Sequence, residues 1–114
     1  MATKLSATSQ KMVHSKEMTT LLECICLGYA CAKKCAEMQD SKLCQLCTDC
    51  ACCCEIALQL KSRESTFCNQ MLVLCAKICK QCVADCSQCS DSLCKEFAEV
   101  CKECADQCLE SAKS

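Results

Sequence analysis

Residues 68–89 read CNQMLVLCAKICKQCVADCSQC, and this stretch decides the fold. Its Cys stand at 68, 75, 79, 82, 86 and 89, in steps of 7, 4, 3, 4 and 3. That is the a/d stripe of a heptad helix, written in thiols where Leu or Ile ordinarily stand. The spacing recurs outward along the chain. Cys94, Cys101, Cys104 and Cys108 follow, while Cys24, Cys31 and Cys35 stand earlier, and Cys44, Cys47, Cys50 and Cys54 lie between. At about 100° per residue, each set keeps within an arc of roughly 120° on its helix. Seventeen thiols are therefore expected to face one interior. Cys26 and Cys52 point nearly away from it, and Cys53 falls at its edge.

Breaks in the pattern divide the chain into four helical stretches. The first is predicted from about Ser9 to Met38, ending at Gln39-Asp40-Ser41, and the second from Lys42 to about Lys61. Ser65 is the expected N-cap of the third, which continues to about Cys89. Asp91 or Ser92 caps the fourth, which runs to about Ser111. Links this short join antiparallel neighbours. The predicted fold is all-α, an up-down-up-down four-helix bundle with a Cys-lined core. Residues 1–114 form one domain, with 1–8 frayed.

Composition narrows the classes further. The 114 residues include 20 Cys, one Gly, no Pro and no Trp, which argues against turn-rich β folds and small disulfide scaffolds. The 52% hydrophobic content includes those Cys, so a core of ordinary size needs sulfur to fill it. Lys and Arg number 13 against 14 Asp and Glu, a balance that invites neither nucleic acid nor an anionic membrane surface. No stretch is expected to span a membrane. Met1 to Gln10 lacks the apolar run of an export signal, so the expected location is the cytoplasm. Thiols stay reduced there, and dense Cys reads as metal binding rather than disulfides.

Three readings compete with a metal store. Cys can pack as a small hydrophobe, but Leu or Ile at the same positions would bury far more apolar area. The pairs Cys79/Cys89 and Cys94/Cys104 match the C-x9-C spacing of oxidised helical hairpins, which use two such pairs rather than stripes. Cys44, Cys47, Cys50 and Cys54 reproduce the C-x2-C-x2-C-x3-C run of bacterial ferredoxins. Glu55 replaces the Pro that follows in ferredoxins, and the run continues a helix instead of wrapping a cluster. An iron–sulfur or dithiol/disulfide redox protein is the alternative to storage.

Charge selects the metal. A buried thiol is neutral, and a bound metal needs the thiolate, so binding releases protons. Exchanging one proton for one Cu(I) leaves the core charge unchanged. A Zn(II) on four thiolates leaves about −2 per site, and several such sites in one dry tube are strongly penalised. Soft thiolates also favour Cu(I). Sulfurs at i,i+3 and i,i+4 lie on one helix face, about 5–6 Å apart at Cβ, and sharing each thiolate allows close to one Cu(I) per Cys.

The pattern resembles the bacterial copper storage proteins from about His14 to Cys108. The resemblance rests on the repeats Cys31/Cys35, Cys50/Cys54, Cys75/Cys79/Cys82/Cys86/Cys89 and Cys101/Cys104/Cys108. It implies the cytosolic branch, multiple Cu(I) ions per chain and a homotetramer. A copper chaperone or a low-molecular-weight thiol would deliver the metal by ligand exchange. Cys26 and Cys52 depart from the pattern; weaker metal sites or subunit contacts are their expected roles.

His14 sits near the edge of the first stripe, either as a surface residue or as a group that helps pass Cu(I) through that end of the bundle with Met71, Cys68 and Cys108. The opposite end gathers Met38, Cys35, Cys44, Cys47, Cys86, Cys89 and Cys94. Met38 and Met71 fall on interior faces, Met12 and Met18 do not. No paired acid and base, activated nucleophile or phosphate loop appears, so the expected function is binding and release, not catalysis.

Overall fold

A computed structural model describes residues 15–113. Four helices make up the fold: α1 (Lys16–Glu37), α2 (Ser41–Ser62), α3 (Cys68–Cys86) and α4 (Ser92–Ala112). There are no strands among the described residues. α1 packs on α2 and α4, and α3 packs on the same two, so each helix has two principal neighbours around a central axis. This is the up-down-up-down four-helix bundle predicted from the thiol spacing.

Side-chain caps start three of the helices. Ser15 Oγ accepts the Met18 N–H at 3.2 Å, Asp40 Oδ1 accepts the Leu43 N–H at 3.0 Å, and Asp91 Oδ1 accepts the Leu93 N–H at 2.9 Å. Each satisfies an amide that the first turn leaves without a partner. The third helix differs from expectation. Ser65 Oγ accepts the Phe67 N–H at 3.1 Å, and the Ser65 carbonyl accepts from Cys68 at 3.1 Å. Ser65 thus closes a turn before α3, and Phe67 takes the N-cap position with no side-chain bond. At the other end α3 stops at Cys86, so Cys89 lies in the turn, its N–H bonded to the Cys86 carbonyl at 3.1 Å. The part of the first predicted helix before Ser15, and the frayed segment 1–8, lie outside the described residues.

Two of the three turns, α1–α2 and α2–α3, use left-handed residues without Gly. Gln39 has φ 62° and Glu64 φ 53°. Asp40 N–H bonds the Cys35 carbonyl at 2.8 Å, and Ser65 N–H bonds the Leu60 carbonyl at 2.9 Å. These six-to-one bonds satisfy carbonyls that the last turns leave open.

The core is mostly sulfur. Fifteen Cys are buried, with Phe97, Leu21 and Leu72 the largest enclosed side chains. Ala32, Ala51, Ala57, Ala76, Ala98 and Ala105 are buried as well, and their small size lets helix backbones approach. α1 and α2 approach closely at Gly28. A Cβ there would lie 3.0 Å from Ala51 Cβ and 3.3 Å from the Cys47 carbonyl oxygen. α1 and α2 meet at this point because Gly has no side chain.

Three expectations need correction. Met18 is buried, on the flank of the α1 stripe that also carries the buried Leu21 and Ala32. Met38 is 41% exposed, because α1 ends at Glu37 and its C-cap residue leaves the helical register. α2, with 22 residues, is after all long and apolar enough to cross a membrane by length and composition. Its six Cys supply much of that apolar character, while Lys42 and Asp49 are exposed along it and Cys47, Cys50 and Cys54 turn inward, as suits a bundle's core helix.

Leu72 and Val73 test the packing directly. Leu72→Ala removes an enclosed side chain and is expected to cost about 2–5 kcal/mol in chemical unfolding of the reduced protein. Val73→Ala, at a half-exposed neighbour, should stay within about 0.5 kcal/mol.

Candidate metal site

Each helix turns its thiols inward because Cys recurs every three or four residues, and the four stripes meet along the axis. Four sets of sulfurs lie within 4.8 Å of one another: Cys24/Cys50/Cys54/Cys79, Cys50/Cys82/Cys101, Cys31/Cys47/Cys86 and Cys31/Cys35/Cys94. Every set draws on at least two helices. Cys50 belongs to two of them, and so does Cys31. Shared membership is what multinuclear thiolate chemistry needs, since one sulfur can bridge two metals.

Individual contacts knit the sets together. Cys31 Sγ lies 3.2 Å from Cys94 and 3.6 Å from Cys47, and Cys47 lies 3.9 Å from Cys86. Deeper in, Cys50 is 3.6 Å from Cys79 and 3.8 Å from Cys24, which is 3.9 Å from Cys101. Cys104 and Cys108 are 3.9 Å apart on α4. All 20 cysteines are free thiols. Thr20 is the only buried polar or charged residue among those described, and its hydroxyl donates to the Lys16 carbonyl at 3.0 Å. The interior therefore offers a metal sulfur and almost nothing else.

Burial and S–H···S bonding pull these thiols in opposite directions. Hydrogen bonds to Cys101, Cys104, Cys24 and Cys50, together with desolvation, hold Cys79 above the ordinary thiol range. Cys24, Cys75 and Cys82 are raised in the same way. At Cys31 the Cys47 bond pulls down, but Cys86 and desolvation outweigh it and push the group up to about 12. Acceptors move the other way. Cys50 is held low by bonds from Cys101, Cys24, Cys54 and Cys79, and Cys86 by bonds from Cys31, Cys47 and Cys82. Cys101 falls to about 7, chiefly through Cys24, and Cys104 to about 6, chiefly through Cys108. Hydrogen bonding to the thiolate form favours it, and desolvation opposes it.

The sequence model of one protein family, described as copper storage protein, matches residues 9–113. The chain belongs to the copper storage protein family. No curated protein and no solved structure matches it. Copper storage is a binding role, and the sulfur-lined interior gives that role a place.

Membership does not depend on every thiol standing where the spacing put it. Of the seventeen expected inside, fourteen are buried, and Cys44, Cys68 and Cys89 are half-buried at the ends of helices or in a turn. Cys53, expected at the edge, is buried on the α3-facing side of α2, 3.2 Å from Cys75 and 3.6 Å from Met71 Sδ. Cys26 and Cys52 are exposed as expected, with Cys52 3.4 Å from the Tyr29 hydroxyl. The ferredoxin-like run lies wholly on α2, and its sulfurs are divided among different sets: Cys47 joins Cys31 and Cys86, while Cys50 and Cys54 join Cys24 and Cys79. His14 and Met12 lie outside the described residues. Near Cys68 and Cys108, Lys61 Nζ pairs with Glu17 Oε2 at 2.8 Å and reaches Ser111 Oγ at 3.4 Å.

Exposure ranks the thiols for a chemical test. Brief alkylation of the reduced, folded protein, read by peptide mass spectrometry, should modify Cys26 and Cys52 first. Cys44, Cys68 and Cys89 should follow, and the fifteen buried thiols should react only on unfolding.

Proposed function

We propose that the bundle stores Cu(I), close to one ion per Cys, in the cytosol. The observation that carries this reading is the overlap of sulfur sets in an interior where Thr20 is, among the described residues, the only other buried polar side chain. Cu(I) accepts two or three soft ligands, and a thiolate shared between two such ions lets the sets that share Cys31, or those that share Cys50, pass metal between them. One Cu(I) replaces one proton, so filling the tube leaves its charge near zero. Divalent ions would leave excess negative charge in a dry core.

Loading is ligand exchange. A copper chaperone or a low-molecular-weight thiol brings Cu(I), a core thiol releases its proton, and the donor's sulfur leaves with it. No step changes the oxidation state of copper, so no catalytic group is needed. Cytosolic location follows from the same chemistry, since a reducing compartment keeps thiols available as ligands. The resemblance to the family's cytosolic branch supports a homotetramer. Leu22, Tyr29, Ile56, Phe67, Val73 and Leu74 are exposed and give such an assembly apolar surface to cover.

The test is an anaerobic titration of the reduced protein with Cu(I) against a competing chromophoric chelator. A plateau near the 20 Cys of the chain is the expected result. A plateau at a single ion or a handful would return the thiol stripes to zinc or iron–sulfur chemistry. Because copper ties the helices together, loading should also raise the unfolding temperature progressively.

A further inference from the structure

The thiol ladder between α1 and α4 has a missing rung. Going along the antiparallel pair, Cys31 faces Cys94 at 3.2 Å and Cys24 faces Cys101 at 3.9 Å. Midway between them, three and four residues away on each helix, stand Gly28 and Phe97. The Phe97 ring comes within 3.4 Å of where a Gly28 Cβ would be, and it is fully buried. Ala51 Cβ and the Cys47 carbonyl close the other side of Gly28. On the α1–α4 side, then, a layer of hydrocarbon and backbone interrupts the sulfur.

The sulfur sets divide at the same level. Two of them contain Cys31 and lie toward the α1–α2 and α3–α4 turns, and the other two contain Cys50 and lie deeper. No set among the described residues has members on both sides. Among the described residues, only α2 and α3 carry thiols one turn apart across the layer, from Cys47 to Cys50 and from Cys86 to Cys82.

We infer that Phe97, seated over Gly28, divides the store into two copper pools joined by a narrow thiol path along α2 and α3. This rests on the Cu(I)-storage reading. An ion crosses by exchange: a Cu–S bond forms to the incoming thiol of Cys50 or Cys82, whose proton passes to the outgoing sulfur of Cys47 or Cys86 as the old bond breaks. Copper remains Cu(I) throughout. The turn-side pool, next to half-buried Cys44 and Cys89, exchanges with solvent ligands first, and the deeper pool, with half-buried Cys68 alone toward the opposite end, drains more slowly.

Copper removal from the fully loaded protein by excess chromophoric chelator, followed by stopped flow, is expected to show two phases. Phe97→Cys supplies the missing rung and should accelerate the slow phase by about tenfold, merging it with the fast one, which corresponds to about 1.4 kcal/mol off a barrier. Phe97→Leu keeps an apolar layer and should keep both phases. A single phase in the unmodified protein, or unchanged phases in a folded Phe97→Cys variant, overturns the partition. Should that variant not fold, alkylation of the unmodified protein at half loading decides. Protection confined to one pool supports the partition, and protection spread evenly over both overturns it. Total copper released reads the storage function separately: full capacity with one phase removes only the partition, and a capacity of a few ions removes both.

Discussion

A thiol can be buried cheaply only while it is neutral, and the whole bundle is arranged around that condition. Protonated, Cys packs as a small hydrophobe. Ionised and alone in the core, it would carry an uncompensated charge out of water. The interior therefore holds its sulfurs in mutual S–H···S contact until a cation replaces the protons. A monovalent soft cation restores neutrality one thiol at a time. The choice of cargo, an interior in which Thr20 is the one buried polar residue among those described, and the tight sulfur spacing all express one constraint.

Filling a core with Cys gives up apolar area, and the remaining structure compensates. Phe97, Leu21 and Leu72 supply most of the large enclosed hydrocarbon. Buried Ala and Gly28 bring the helices close enough for small side chains to touch across the axis. Ser15, Asp40 and Asp91 cap three helices without drawing on the core. These features let the tube exist before metal arrives, so stored copper adds stability to a fold it does not have to create.

The stripe from Cys68 to Cys89 made the bundle legible from sequence, because a three-four spacing of one residue type admits no other regular structure. Inward and outward thiols were legible for the same reason, including exposed Cys26 and Cys52. Periodicity was blind to helix ends: it carried α3 past Cys86 to Cys89 and placed Met38 inside, since only hydrogen bonding decides where a helix stops. It put Met18 outside and could only leave Cys53 at the edge; both are buried on the flanks of their stripes, where the neighbouring helix settles burial. Nothing in the spacing pairs Gly28 with Phe97. Their meaning depends on the register between α1 and α4, and a single sequence does not reveal that register.

Anomalous diffraction at the copper edge, from crystals of the Cu(I)-loaded protein, tests the core store most directly. A column of copper peaks along the bundle axis is expected, each bonded to sulfurs of the buried stripes, with the four helices in the places they hold without metal. Copper confined to Cys26, Cys52 or contacts between chains, with the core thiols free, would contradict it.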